Sequence, residues 1–79
     1  MTRADRMFWT ELGIRVAAVR SARGLSQAAL AKRIGLSRPS ANNIECGRQR
    51  IDVSRLVRIA NVLRVPSSRL MPTRYKEEG

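Results

Sequence analysis

Arg38, Asn42 and Asn43 carry the side chains of this sequence best suited to directional hydrogen bonding: a guanidinium and two amides on one short segment. A guanidinium offers a fixed fork of donors, and an amide sets a donor beside an acceptor. That is chemistry for recognition and not for making or breaking bonds. The sequence has no His and one Cys, Cys46, with no nucleophile beside a base. Acid–base catalysis and ordinary metal ligation therefore lack their residues, and the chain reads as a non-enzyme with no metal or cofactor. A lone cysteine closes no internal disulfide and fits a reducing cytoplasm.

Those three residues need a helix to hold them, and the pattern around them predicts one. Ser37 is a fitting N-cap, Pro39 sits where first-turn amides have no helical partner, and the helix runs to about Cys46. Upstream, Phe8, Leu12, Val16 and Val19 recur at helical spacing and predict a helix over residues 7 to 22, ended by Gly24. Ile14 breaks that pattern, while Thr10, Glu11 and Arg15 face water. Ser26 caps a second helix of about nine residues, ended by Gly35. Gly47 suits a left-handed turn, and Asp52 caps a fourth helix with Val53, Leu56, Ile59, Ala60 and Leu63 on its buried face. Pro66 and Ser67 stop that helix and start a short fifth turn holding Leu70 and Met71. The charged tail from Thr73 to Gly79 is expected to fray. No segment alternates with period two, so the fold class is all-α, a compact bundle of four to five short helices.

Length and charge narrow the partners. At 79 residues there is room for one core and thus one domain over residues 1–79. The net charge is +10, and every basic residue except Lys32 and Lys76 is arginine, which grips phosphate or guanine bidentately. A polyanion is the expected partner. No apolar run approaches the ~20 residues needed to cross a bilayer, so no membrane role is expected. Phe8, Trp9 and Tyr75 are the only aromatics, too few for the stacked rows of a single-strand binder, so duplex binding is favoured. Phe8 and Trp9 read as packing residues, Cys46 as inert, and Arg55, Arg58, Arg64 and Arg69 as solvated helix faces.

Residues 27 to 46 carry the most specific pattern. Ala31 and Gly35 are small where two helices meet at a tight turn. Leu30, Ile34, Leu36, Ala41 and Ile44 then bury inward, while Arg38, Pro39, Asn42 and Asn43 point away. Through Arg20, Leu25-Ser26-Gln27, Leu30-Ala31, Gly35, Leu36-Ser37, Ile44-Glu45 and Gly47 the chain resembles the Cro and repressor type of helix-turn-helix family, also called Xre-type. The resemblance covers residues 12 to 71, leaving a short N-terminal extension at 1–7, and implies a lambda-repressor-like DNA-binding domain. Cys46, Ala41 and Trp9 depart from that pattern.

The resemblance also implies roles. Base contacts fall on Ser37, Arg38, Pro39, Asn42 and Asn43: Arg38 with guanine O6 and N7, Asn42 or Asn43 with adenine N6 and N7, Pro39 with a thymine methyl. Phosphate contacts fall on Ser26 and Gln27 at the start of helix 2 and on Arg48, Gln49 and Arg50 after helix 3. Arg20 and Glu45 match a structural ion pair. A homodimer through Val53, Val65, Pro66, Leu70 and Met71 would read an inverted repeat with half-sites about 34 Å apart. The function implied is a transcriptional repressor or autoregulator, as in phage switches and restriction-modification control. The alternative is an antitoxin that binds a toxin protein and represses its own operon.

Overall fold

A computed structural model describes residues 2–73; most of the tail expected to fray, 74–79, lies outside the described residues. Four α-helices follow in order, α1 (Arg3–Ala22), α2 (Gln27–Ile34), α3 (Arg38–Glu45) and α4 (Val53–Leu63), then a 3₁₀ turn at Ser67–Arg69. No strand occurs among the described residues, and the fold is all-α as the sequence implied.

The caps are local, and they set most of the boundaries. Ser26, Ser37 and Asp52 each accept the backbone N–H three residues on, from Ala29, Ser40 and Arg55. The amino end of α1 differs from expectation. It starts at Arg3, not residue 7, because Thr2 and Asp5 form a reciprocal capping box: Asp5 N–H donates to Thr2 Oγ1 at 3.0 Å and Thr2 N–H to Asp5 Oδ2 at 3.1 Å. The supposed N-terminal extension is thus mostly helix. The carboxyl end of α4 also precedes the prolyl stop. Arg64, in left-handed conformation (φ 59°), ends it, and Val65 N–H returns to the Ala60 carbonyl at 3.1 Å. Pro66 disfavours helical geometry at Val65, so the chain must turn before it.

Leu12, Val16, Leu30, Ile34, Ile44, Leu56, Ile59, Ala60, Leu63 and Leu70 form one buried cluster. Phe8 and Trp9 pack against it half-buried, edge to face at 5.1 Å. Ile14 resolves as solvent-exposed. Two assignments change. Val53, expected on the buried face of α4, is 76% exposed, because the first turn of α4 lies at the solvent edge with Asp52 and Ser54 also exposed. Leu70, expected at a dimer interface, has no exposed surface: the 3₁₀ turn folds back on α4 and delivers it to the core.

Candidate nucleic-acid interface

α2 and α3 are joined by Gly35-Leu36-Ser37. Gly35 takes φ 74°, and its added Cβ would meet nothing within 4 Å, so the glycine is there for backbone conformation, not space. Leu36 N–H closes onto the Ala31 carbonyl at 2.8 Å, and Ala31 is buried between the helices. The turn leaves α3 with Ala41 and Ile44 facing the core. On its other side Ser37, Arg38 and Pro39 are exposed, while Asn42 and Asn43 are half-buried. All five residues expected at base edges thus lie on one short helix and its cap.

Of the expected phosphate contacts, Arg48 and Arg50 are exposed and Gln49 is half-buried in the connection to α4. Ser26 is exposed, its oxygen already accepting the Ala29 amide. Gln27 is engaged differently from expectation. Its Nε2 donates to Asn42 Oδ1 at 3.1 Å and to Glu45 Oε1 at 3.0 Å, which commits both amide hydrogens within the protein. What Gln27 offers an anion is its backbone N–H at the start of α2.

Beneath this surface lies the Arg20–Glu45 pair. Arg20 Nε donates to Glu45 Oε2 at 2.6 Å and Nη2 to Oε1 at 3.1 Å, while Nη1 holds the Leu25 carbonyl at 2.7 Å. The Glu45 hydrogen bond raises the pKa of Arg20; burial works against this, and the carboxylate charge adds to it. Arg20 thereby ties α1 to α3 and to Leu25, the residue before the N-cap of α2, and Gln27 and Asn42 join the same network. Residues 26–51 otherwise carry Lys32, Arg33, Arg38, Arg48 and Arg50 and no other acid, so the surface is positive once Glu45 is neutralised.

Two glycines frame this site, and of these Gly13 lay outside the sequence reading. A Cβ at Gly13 would stand 2.5 Å from the Ile44 carbonyl oxygen and nearer still to that of Glu45, so α1 crosses the end of α3 backbone to backbone. At Gly47 (φ 75°) a Cβ would lie 2.7 Å from Thr10 Cα. A glycine inside a helix costs about 0.5–1 kcal/mol against alanine, and that was the available signal at Gly13.

Of the residues expected at a dimer interface, Val53, Pro66 and Met71 are exposed, Val65 is half-buried and Leu70 is core. Val57, one turn beyond Val53, is also exposed. Among the described residues no three His, Cys, Asp or Glu side chains are grouped to hold a metal, and no helix is long and apolar enough to cross a membrane.

A family model described as a helix-turn-helix domain matches residues 11–70. The chain belongs to the helix-turn-helix domain family. In DNA-binding proteins built on that motif the second helix lies in the major groove, and α3 holds the position of that second helix here. Solved structures share the fold. The restriction-modification controller protein C.AhdI from Aeromonas hydrophila is 28% identical, with TM-score 0.76, over 80% of this chain and 91% of its own. An HTH_3 family transcriptional regulator from Vibrio cholerae is 30% identical, with TM-score 0.76, over 84% of this chain and 37% of its own. Hydroxypropylphosphonic acid epoxidase from S. wedmorenis is 25% identical, with TM-score 0.80, over 85% of this chain and 36% of its own. This chain therefore spans most of the controller's length but just over a third of the other two. No curated protein sequence matches it.

Proposed function

We propose that this chain is a sequence-specific double-stranded DNA-binding transcription regulator, a repressor or autoregulator acting as a homodimer on an inverted-repeat operator in the cytoplasm. The observation that carries this is α3 itself. Its inner face is locked into the core by Ala41 and Ile44, its outer side presents Ser37, Arg38 and Pro39 to solvent, and two sources of positive potential accompany it. One is the amino end of α2, and the other is the exposed pair Arg48 and Arg50.

Arg38, exposed in the first turn of α3, is the leading base reader, with its fork on guanine O6 and N7. Ser37, Pro39, Asn42 and Asn43 complete the reading surface. Ser26, the Gln27 backbone, Arg48, Gln49 and Arg50 fix its register on the phosphates. Similarity to C.AhdI over 91% of that protein supports the controller type. The epoxidase likeness covers 36% of an enzyme, and the same helices are read here as a non-enzymatic, cofactor-free module.

The test is to select from random duplex DNA at near-physiological salt with the wild-type protein and with Arg38→Ala. An inverted repeat that loses a guanine preference in the variant is the expected result. If no sequence is enriched, operator recognition is wrong.

A further inference from the structure

Proton ownership runs in one direction through the network beneath α3. Glu45 is the ion-pair partner of Arg20, and a carboxylate has only acceptor oxygens. The Gln27 atom 3.0 Å from Glu45 Oε1 is therefore the amide nitrogen, since the carbonyl oxygen there would set lone pair against lone pair. That same nitrogen lies 3.1 Å from the Asn42 amide, and a donor requires an acceptor, so the Asn42 atom facing it is Oδ1. The Cys46 thiol, 3.9 Å away, is a second and weaker donor to Oδ1. An amide oxygen has two lone pairs, and here protein donors address both. What Asn42 has left to offer is Nδ2 with its hydrogens.

We infer that Asn42 is a donor-only reader, selecting guanine over adenine at the base pair it faces, and that Gln27 sets this polarity as a positioning residue. The inference rests on α3 lying in the major groove, as proposed above. Adenine presents an acceptor, N7, beside a donor, N6–H₂, so an asparagine reading it bidentately must supply both Oδ1 and Nδ2. Guanine presents two acceptors, N7 and O6, and suits an amide whose oxygen is taken. Thymine offers only O4 beside its methyl. The adenine pairing expected for this residue type thus passes to Asn43, whose side chain makes no hydrogen bond among the described residues.

The test uses the full 79-residue protein and the operator recovered by duplex selection. Asn42→Ala marks the base pair that Asn42 reads, and guanine is expected there, at a position distinct from the one lost in Arg38→Ala. Gln27→Ala frees Oδ1, lets the amide turn, and should lower guanine-over-adenine discrimination at that one base pair about tenfold, as for loss of one good base contact. Preferences elsewhere should hold. A merely structural role for Gln27 would weaken binding to all sequences alike. The inference is overturned if Asn42→Ala marks an A·T pair, if it erases no preference, or if Gln27→Ala leaves the discrimination intact. Should Gln27→Ala melt below the assay temperature, the base marked by Asn42→Ala decides alone. Failure of the wild-type protein to enrich any duplex is a different result: it overturns the regulator reading and this inference with it.

Discussion

Arg20 grips Glu45 with two parallel hydrogen bonds, 2.6 Å and 3.1 Å, joining the last turn of α1 to the last residue of α3. The side chains are 17% and 5% exposed, so the pair is largely out of water. Glu45→Ala leaves a guanidinium there without its partner, which costs about 3–5 kcal/mol in such settings. It should also loosen Gln27, which shares Glu45 Oε1. Because Arg20 has a raised pKa, its share of the stability is present below its ordinary value and is lost only as pH rises through the higher folded one, far above neutrality. The loss in Glu45→Ala should therefore be visible by denaturant unfolding at neutral pH. An unchanged midpoint would show that the pair does not hold the fold.

Gly13→Ala tests the crossing of α1 over α3. Helix propensity alone would make this change stabilising by about 1 kcal/mol. The added Cβ, however, meets backbone oxygens of Ile44 and Glu45, which have no rotamer to change. Overpacking then costs about 1–3 kcal/mol, and relief requires α1 and α3 to part. Lower stability together with weaker DNA binding is the expected outcome in thermal melts and titrations. A stabilised variant with unaltered binding would mean the helices yield at no cost.

What was legible in the sequence follows the range of the physics. Ser26, Ser37, Asp52 and Gly35 act within three or four residues, and both ends of α2 and the starts of α3 and α4 were readable from them. The Thr2–Asp5 box is equally local, but α1 was begun at its first apolar repeat near Phe8, so the box went unread. Leu70 was misplaced because its burial depends on how the 3₁₀ turn folds back on α4, and the burial of Val53 was misread because the helical repeat does not show that the first turn of α4 lies at the solvent edge. At the site, residue types on α3 pointed to hydrogen bonding. Whether Asn42 offers an oxygen or a nitrogen was settled by Gln27, fifteen positions away, and depends on how α2 meets α3.

Self-association should run through the exposed edge of α4. Val53 and Val57 are 76% and 42% exposed one turn apart, with Met71 at 41%. Val53→Arg should give a folded monomer, halving the mass by light scattering and weakening operator binding. Leu70→Arg, which would test the original interface residue, should instead unfold the protein, since it sets a charge at a fully buried position. A Val53→Arg protein of unchanged mass would move the interface elsewhere.

Salt dependence gives the reach of the phosphate contacts. With about four to six phosphates neutralised per subunit, a dimer's affinity should fall with a log–log slope of about −7 to −11. Arg48, exposed next to Gly47, is tied by its backbone N–H to the Asn43 carbonyl at 2.9 Å, so the end of α3 fixes where its side chain starts. Arg48→Ala removes one cation per subunit and should make the slope shallower by about 2 for the dimer, weakening all sequences alike. Anisotropy titrations from about 50 to 200 mM salt give the slope directly. An unchanged slope would place Arg48 off the backbone, and a change confined to one base pair would make it a reader of sequence.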